Sequence, residues 1–292
     1  MQKWLITGST GFLGSNAGRI ISRNHQVVGT SRHKEARFFD RQYCIDITKP
    51  SEVESLLREV KPDVVLHCAA LASHEECELN PDLAWTINVE STATLAGICA
   101  ELGSKLIHIS TDAVFDGTRG NYSELDEVNP FSIYGETKAH AEVEVAKLNP
   151  GALIVRTNFF GWSPSGRSSV LEFFVRGLSQ TGDVIGFTDY RVTSIYVDDL
   201  IANICDTVRE NWDGLLHVAS SDAQSKFEFG KLVAAELNLP QSRVVPGKRW
   251  APMSLDLSLD TSALQKRTSM RTPTQQTGIH RALEETSPFI DS

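Results

Sequence analysis

Short apolar runs alternate with longer amphipathic segments through the first half of the chain. These runs have the length of strands and cover residues 3–7, 27–30, 43–47, 64–68 and 105–110. The run at 64–68 is almost wholly apolar, which is typical of a strand buried on both faces of a parallel sheet. The alternation therefore predicts an α/β fold built on a doubly wound parallel sheet, the Rossmann arrangement.

Helices are predicted between these strands. Asn80 and Pro81 supply a start signal, and Gly103 a stop signal, for a long helix over 81–102. The predicted helices end at about residues 23, 60, 102 and 148, and a further strand over 152–157 follows the last of them.

The regular alternation of strands and helices ends after residue 157. Glycine, serine and proline become frequent around 161–169, and such a change in composition is typical of a loop-rich region. We expect residues 1–157 to form the Rossmann domain and residues 158–292 to form mainly a smaller, discontinuous substrate-binding region.

Composition and charge limit the class of protein. The chain has 292 residues, of which 41% are hydrophobic and 22% charged, as in a globular protein. The net charge of -9 argues against nucleic-acid and anionic-membrane partners. The five cysteines are scattered and odd in number, which favours reduced thiols and a cytoplasmic location. The first strand leaves no room for a signal peptide before it, and no apolar run has transmembrane length.

A glycine-rich loop follows the first strand. Gly8, Gly11 and Gly14 recur at every third position, which lets the backbone turn tightly and approach a pyrophosphate at the N-terminus of the next helix. The loop therefore predicts a dinucleotide site, although glycines at this spacing also occur in an ordinary tight turn.

Ser31 and Arg32 follow the second strand, at the position that discriminates between the two nicotinamide cofactors. An NAD-selective site usually has an acidic residue there, whereas an arginine suits the 2′-phosphate of NADPH. We therefore expect NADPH and regard NADH as the less favoured cofactor. The alternative is a solvated loop arginine, because His33, Lys34 and Arg37 are basic as well.

Tyr134 and Lys138 form the chemical centre of the predicted site. Residues four apart share one face of a helix, so the lysine ammonium can lie beside the phenol and lower its pKa. Such a tyrosine can donate a proton near neutral pH, and Thr111, at the end of a preceding strand, offers a second hydroxyl to a carbonyl oxygen. The alternative is an ordinary surface pair.

His67, Cys68, His74 and Cys77 lie close together in the sequence, as ligands do in some zinc sites. His67 and Cys68 are adjacent on a predicted strand and therefore point to opposite faces, and no second pair of ligands at zinc spacing follows. We expect no metal site.

Together these motifs resemble the extended short-chain dehydrogenases/reductases, and most of all the dTDP-4-dehydrorhamnose reductase family. The resemblance spans nearly the whole chain. In the first half it rests on Gly8, Gly11, Gly14, Asp46, Ile47, His67, Cys68, Ala69, Ala70, Asn88, Ser110, Thr111, Asp112, Ala113, Val114, Phe115, Asp116, Gly117, Tyr134 and Lys138. Later matching segments are 191–193, 197–200 and 215–219, and they imply that residues 198–220 return to the Rossmann sheet.

The resemblance implies a role for each matching residue. Tyr134 would protonate a ketone oxygen while the nicotinamide delivers hydride to its carbon, Lys138 would bind the nicotinamide ribose, and Thr111 would hydrogen-bond the same oxygen. The implied cofactor-binding residues are Gly8, Thr10, Gly11, Phe12, Leu13, Gly14, Ser31, Arg32, Asp46, Ile47, Cys68, Ala69, Ala70, Tyr134 and Lys138. The implied substrate-binding residues are Thr111, Asp112, Ala113, Phe159 and Arg191.

The residues after Thr111 favour one reaction within this superfamily. Related dehydratases typically have Asp-Glu after the catalytic threonine, where this chain has Asp112 and Ala113. Related epimerase-reductases need a cysteine close to the catalytic hydroxyl, and none lies between Cys99 and Cys205. The resemblance therefore implies NADPH-dependent reduction of the 4-keto group of a nucleotide-diphosphate-linked 4-keto-6-deoxy sugar.

Several alternatives stay open. The chain also resembles the β subunit of methionine adenosyltransferase, a non-catalytic NADP-binding regulatory subunit, and other sugar-nucleotide dehydrogenases and epimerases share much of the motif set. Arg167, Arg176 and Arg249 compete with Arg191 for a substrate diphosphate, and the segment 249–252 matches the family only loosely. The oligomeric state is open too, with a homodimer as one alternative.

Overall fold

The computed structural model describes residues 1–32, 37–164, 166, 169–249, 255–267 and 272–285. Its strands are β1 (Lys3–Thr7), β2 (Gln26–Ser31), β3 (Arg41–Cys44), β4 (Val64–His67), β5 (Lys105–Thr111), β6 (Leu153–Thr157), β7 (Phe159–Phe160), β8 (Val184–Phe187), β9 (Tyr190–Val192), β10 (Ile195–Tyr196), β11 (Gly214–His217), β12 (Gln224–Ser225), β13 (Val244–Gly247) and β14 (Leu255–Asp256). Its α-helices are α1 (Phe12–Ile21), α2 (Pro50–Val60), α3 (His74–Leu79), α4 (Pro81–Trp85), α5 (Ser91–Leu102), α6 (Ile133–Leu148), α7 (Val170–Leu178), α8 (Val197–Arg209), α9 (Lys226–Glu236), α10 (Ser262–Arg267) and α11 (Gln275–Glu284).

The largest sheet of the described residues has seven strands in the order β11-β6-β5-β4-β1-β2-β3. The pairs β1–β2, β1–β4, β2–β3 and β4–β5 are all parallel. The strand order reverses between β1 and β4, and in open α/β sheets such a switch point is where ligands bind, beyond the carboxyl ends of the strands. The predicted doubly wound parallel fold is confirmed.

The hydrophobic core of this sheet explains why the apolar runs became strands. Leu5, Val65 and Leu106 come from three neighbouring strands and pack with Leu57 and Leu95 from helices α2 and α5 in one buried cluster. Burial of each such side chain contributes about 1.5–3 kcal/mol relative to exposure, which favours strands that are apolar on both faces.

Two elements differ from the sequence-based expectation. The third strand covers Arg41–Cys44 rather than 43–47, and Asp46 begins a turn in which its carboxylate accepts hydrogen bonds from Thr48. The predicted helix over 81–102 is divided by a π-helical turn, Thr86–Glu90, and is preceded by the unpredicted helix α3. Asn88 lies in that turn, and its side chain bonds the backbone of Leu71, a tertiary contact that no local pattern encodes.

The chain divides into two compact units. The first contains 1–115, 127–156 and 201–216, and the second contains 116–126, 157–200 and 217–292. Residues 116–126 lie in the second unit rather than in the first, because the Tyr122 N–H donates to the carbonyl of Ser258 and Tyr122 bridges to Leu259. The assignment of one region to the cofactor and the other to the substrate stays a prediction. Among the described residues, no helix has the length and apolar character to cross a membrane.

Candidate active site

The glycine-rich loop joins β1 to α1 through a tight, close-packed turn. Gly8 has φ +66°, a conformation that favours glycine, and its carbonyl accepts a hydrogen bond of 2.9 Å from the Gly11 N–H. A Cβ atom at Gly14 would lie 2.2 Å from the Gly8 oxygen. The backbone of α1 can therefore approach the loop this closely because residue 14 has no side chain.

A cavity of about 310 Å³ lies beyond this loop, within the first unit. Ten of the predicted cofactor residues line it, namely Gly8, Thr10, Gly11, Ser31, Arg32, Asp46, Ile47, Cys68, Ala69 and Ala70. Phe12, Leu13 and Gly14 begin α1 and are not part of the lining, and neither are Tyr134 and Lys138. Five further lining residues were not predicted from the sequence, namely Thr30, Ile45, Thr48, Leu71 and Ile87. All of them except Ile87 are next to a predicted residue in the chain.

Arg32 is exposed at the rim of this cavity, directly after β2. Hydrogen bonds from the Thr48 N–H and hydroxyl hold the pKa of Asp46 below its usual value, and the Arg32 charge adds to this effect. Of the basic neighbours considered with Arg32, Arg37 is exposed, and His33 and Lys34 lie outside the described residues. An exposed guanidinium at the rim of a cavity has the chemistry to bind a phosphate group.

Thr111 and Tyr134 come together from the end of β5 and the start of α6. The Thr111 hydroxyl accepts a hydrogen bond of 3.1 Å from the Ala113 N–H and donates one of 3.0 Å to the Asp112 carboxylate. Ser132 caps α6 by accepting from the Gly135 N–H at 3.2 Å, which fixes the turn that carries Tyr134. The Thr111 side chain acts to lower the pKa of Tyr134, which indicates that the two side chains lie close together.

The expected depression of the tyrosine pKa is wrong for this arrangement. Burial raises the pKa of Tyr134 and the Asp112 carboxylate raises it further, whereas the nearby Thr111 side chain acts to lower it. The sequence suggested that Lys138 would dominate, because the two residues share a helix face. In the structure, desolvation of the phenol outweighs any such effect, so Tyr134 stays protonated at neutral pH.

Lys138 points into the interior of the first unit, where only 3% of it is exposed. Its Nζ lies 3.1 Å from Nε2 of His108, a residue of β5. Burial lowers the pKa of Lys138 to about 8, while Glu142 and Cys68 act to raise it. The alternative of an ordinary surface pair is therefore wrong for Lys138.

The two predicted substrate residues beyond residue 157 lie in the second unit. A cavity of about 160 Å³ there is lined by Asn158, Phe159, Ser169, Val170, Tyr190, Val192, Ser194, Gln224, Ser225, Lys226, Phe229 and Gln275. Arg191 is not part of that lining and instead binds Glu228 at 3.0 Å and the carbonyl of Ala223 at 2.6 Å. Its competitor Arg249 stacks 4.7 Å above the ring of Tyr190, Arg176 is exposed, and Arg167 lies outside the described residues.

Two members of the cysteine and histidine cluster considered for zinc, His67 and Cys77, form hydrogen bonds within the protein. His67 hydrogen-bonds Thr7 at 2.7 Å and Thr92 at 3.0 Å, and the Cys77 thiol donates to the carbonyl of Leu71 at 3.3 Å. Across the described ranges, no group of three or more His, Cys, Asp or Glu side chains is arranged to bind a metal ion.

Comparison with known proteins identifies the family. The model of the RmlD substrate binding domain matches residues 2–287. The chain belongs to the RmlD substrate binding domain family. The resemblance inferred from the sequence motifs is thereby confirmed.

The RmlD-family chain has similar relatives and solved structures over nearly its full length. It is 33% identical to the probable low-salt glycan biosynthesis reductase Agl14 of Haloferax volcanii, over 87% of this chain and 89% of that protein. It is 28% identical to the methionine adenosyltransferase 2 subunit beta of Xenopus laevis, over 94% of this chain and 87% of that protein. The crystal structure of a Bacillus anthracis dTDP-4-dehydrorhamnose reductase in complex with NADP matches with a TM-score of 0.84 and 26% identity, covering 98% of this chain and 100% of that one. The crystal structure of a dTDP-4-dehydrorhamnose reductase from Clostridium acetobutylicum matches with a TM-score of 0.85 and 27% identity, covering 97% of this chain and 99% of that one.

Two residues that hold the candidate catalytic groups in place in this RmlD-family chain received no role from the sequence. Gly135 lets α6 approach the turn after β5, because a Cβ atom there would lie 2.1 Å from the carbonyl oxygen of Ala113. The Asn88 amide donates to Thr137 at 3.0 Å, whose hydroxyl donates to the carbonyl of Tyr134 at 2.9 Å. The glycine next to the tyrosine was a usable signal for Gly135, whereas the link from Asn88 joins distant segments and needed the structure.

Proposed function

We propose that this chain is an NADPH-dependent oxidoreductase that reduces the 4-keto group of a nucleotide-diphosphate-linked 4-keto-6-deoxy sugar. The observation that carries the proposal is the proximity of the Thr111 and Tyr134 side chains, with the buried ammonium of Lys138 one helical turn further along α6. All three belong to the unit that contains the dinucleotide-type cavity.

The cavity of the first unit fits a nicotinamide dinucleotide. Gly8 and Gly11 line it without side chains, and the first backbone N–H groups of α1 have no side-chain cap at Gly11. The N-terminus of a helix attracts a pyrophosphate through its backbone N–H groups and its dipole. Arg32 at the rim suits a 2′-phosphate, which favours NADPH over NADH. Bound NADPH would supply the hydride for the ketone carbon.

The protein's own residues would manage the proton. Tyr134, protonated at neutral pH, donates its proton to the ketone oxygen, and the Thr111 hydroxyl stabilises the negative charge that develops on that oxygen. The high pKa of Tyr134, which follows from burial and from the Asp112 carboxylate, fits a group that acts as an acid. The positive charge of Lys138 stabilises the phenolate once the proton has left.

Ala113 favours reduction over loss of water. Dehydration of a sugar requires one group to remove a proton beside the ketone and another to protonate the departing hydroxyl. Ala113 is buried and can do neither. The dTDP-4-dehydrorhamnose reductases among the structural neighbours, and the glycan biosynthesis reductase among the relatives, support the same reaction class.

The cavity of the second unit supports a nucleotide-sugar substrate. Burial lowers the pKa of Lys226, and the Arg249 charge lowers it further, so two cations lie close together beside the ring of Tyr190. An anion relieves such repulsion, and an aromatic ring offers a face to a nucleobase. We assign this cavity to the nucleoside diphosphate. Phe159 is a further member of its lining, whereas Arg191 stays a weaker candidate because Glu228 already neutralises it.

A second candidate function is that of a non-catalytic NADP-binding regulatory subunit. It is favoured by the similarity to methionine adenosyltransferase 2 subunit beta, which covers 94% of the chain. The intact set of Thr111, Tyr134 and Lys138 favours the enzyme.

An assay of NADPH oxidation distinguishes the reductase from the regulatory subunit. Given a 4-keto-6-deoxyhexose nucleotide, the enzyme consumes one NADPH per sugar reduced, and it leaves the corresponding 4,6-hydroxylated glucose nucleotide unchanged. Tight NADPH binding without consumption on any such sugar would favour the regulatory subunit. Release of a 4-keto-6-deoxy product from the glucose nucleotide, with no net NADPH consumed, would make the protein a dehydratase instead.

A further inference from the structure

The ammonium of Lys138 has an unusual partner. Its Nζ contacts Nε2 of His108 at 3.1 Å. The His108 side chain is fully buried on β5, and β5 lies between β4 and β6 in the sheet. A buried lysine is normally paired with a carboxylate, because the interior of a protein stabilises a lone positive charge poorly. Here the partner is an imidazole.

A carboxylate is present nearby but is occupied. Glu142 is one helical turn after Lys138 on α6, and its oxygens accept three hydrogen bonds from Arg156, at 2.6, 2.9 and 3.2 Å. Ser110 donates a further hydrogen bond of 2.5 Å to the same carboxylate. The guanidinium of Arg156 neutralises Glu142, so Glu142 does not bind Lys138 as an ion pair of its own.

The imidazole of His108 is neutral. Burial holds the pKa of His108 well below its usual value, and the charge of Lys138 and the neighbouring His67 lower it further. A neutral imidazole has one nitrogen that donates and one that accepts. When Nε2 accepts from the ammonium, the proton lies on Nδ1, which has no hydrogen-bond partner among the described residues. Buried polar atoms without partners are rare in folded proteins, so a functional reason for this one is expected.

We propose that His108 is a positioning residue for Lys138, whose neutral imidazole binds the ammonium through one hydrogen bond and spares it a carboxylate partner. The proposal rests on the function proposed above, in which Lys138 serves the reaction. A lysine bound in this way keeps its remaining N–H donors and its full charge for the cofactor ribose and for the Tyr134 phenolate. A carboxylate in place of His108 would neutralise that charge.

The other charged and titratable groups around Lys138 do not take over this role. Burial lowers the pKa of His67 to about 3 and raises that of the Cys68 thiol, so both are neutral near pH 8. Tyr134, on the same helix, has a raised pKa, and Arg156 pairs with Glu142. A substitution at His108 can therefore change the protonation of Lys138 through the direct contact with its Nζ, in addition to the effects of burial and of Glu142.

The sign of the pH effect follows from this environment. Lys138 has a pKa of about 8 because burial disfavours its charged form. Reduction needs the ammonium, so the rate should fall as the pH rises through that value. His108→Asp adds an opposite charge and should raise the pKa of Lys138 by about 1–3 units. His108→Leu removes the acceptor and should lower it, whereas His108→Asn keeps an acceptor and should change it least.

The test is a pH titration of Lys138 by NMR in the full-length protein labelled with ¹³C-lysine, with the signal assigned by its loss in Lys138→Arg. His25→Asn serves as a control, since His25 contacts Trp4 and lies outside the Lys138 cluster. The titration midpoint of Lys138 should lie at a higher pH in His108→Asp, at a lower pH in His108→Leu and at the wild-type pH in His25→Asn. If His108→Asp does not fold, the fall in His108→Leu and the small change in His108→Asn still test the prediction.

The alkaline limb of kcat/KM for ketone reduction should move with the NMR midpoint. This movement distinguishes positioning from a purely structural role, which would lower thermal stability without displacing the pH profile. If no sugar nucleotide is reduced, the proposed function fails, but the NMR titration still decides the role of His108. Unchanged midpoints in both His108→Asp and His108→Leu would overturn the inference.

Discussion

The substitution Gly135→Ala adds one methyl group between the two segments that carry the hydroxyls proposed to act in catalysis. Gly135 lies in the first turn of α6, directly after Tyr134, and the helix approaches the Thr111–Ala113 turn through it. An added Cβ would lie 2.1 Å from the carbonyl oxygen of Ala113 and 3.0 Å from both the Ala113 carbonyl carbon and the Pro130 Cβ. The nearest of these atoms belongs to the backbone, so a rotamer change cannot relieve the overlap.

The overlap determines the size of the effect. Relief requires the start of α6 to move away from the turn by about 1 Å, and a displacement of that size can lower a catalytic rate by about 100-fold. Tyr134 moves with the helix while Thr111 stays with β5, so the two hydroxyl groups move apart. Most of the residues proposed to bind NADPH line the dinucleotide cavity and lie outside α6, so NADPH affinity should fall less than kcat/KM.

The assay is kcat/KM for NADPH-dependent ketone reduction, together with NADPH binding by fluorescence. Gly97→Ala is the matched control, because Gly97 is also within a helix and an added Cβ would meet nothing within 4 Å. The control should keep full activity and gain about 0.4–1 kcal/mol of stability, since alanine restricts the unfolded chain. Wild-type kcat/KM in Gly135→Ala would refute the assigned role of this close contact.

Three further substitutions test the site and its support. Tyr134→Phe should bind NADPH and lose nearly all reduction, and turnover above about a tenth of wild type, a loss below about 1.4 kcal/mol, would contradict its role as proton donor. Arg32→Ala should reduce the preference for NADPH over NADH by about 10- to 100-fold through loss of a charge-assisted contact, and an equal effect on both cofactors would exclude a 2′-phosphate contact. Arg156→Met should lower the free energy of unfolding by about 3–5 kcal/mol, because it leaves Glu142 buried without its partner. In urea denaturation, the exposed pair Arg58 and Glu54 provides the control, since Arg58→Met should cost only about 0.3–0.5 kcal/mol.

Local sequence patterns were sufficient to predict the parallel sheet and to select candidate residues for the site. Strands such as 64–67 are encoded by apolar residues on both faces, and the glycine loop is encoded by the turn that Gly8 makes at positive φ. Both are local properties of the backbone and of adjacent side chains, and the sequence displays them directly. The sequence also displays the carboxyl ends of β1, β2 and β4 directly, and most residues of the cavity lining come from these strand ends.

The protonation chemistry depended on contacts between distant segments. The sequence placed Tyr134 and Lys138 on one helix face and led to a lowered tyrosine pKa, but burial against Asp112 raises it. His108 is thirty residues from Lys138 in the chain and shares no motif with it. A pKa reflects the summed charge and solvent exposure of all neighbours, and those neighbours come from different strands and helices.

The sequence by itself determined the fold class, the glycine-rich turn and the choice of residues that we propose to react, because each follows from the periodicity or chemistry of neighbouring residues. Only the tertiary structure decided that the predicted long helix is interrupted at Asn88, that Glu142 is paired with Arg156, and that Lys138 contacts an imidazole. These features depend on packing between segments far apart in the chain. Side-chain spacing along one element does not specify such packing.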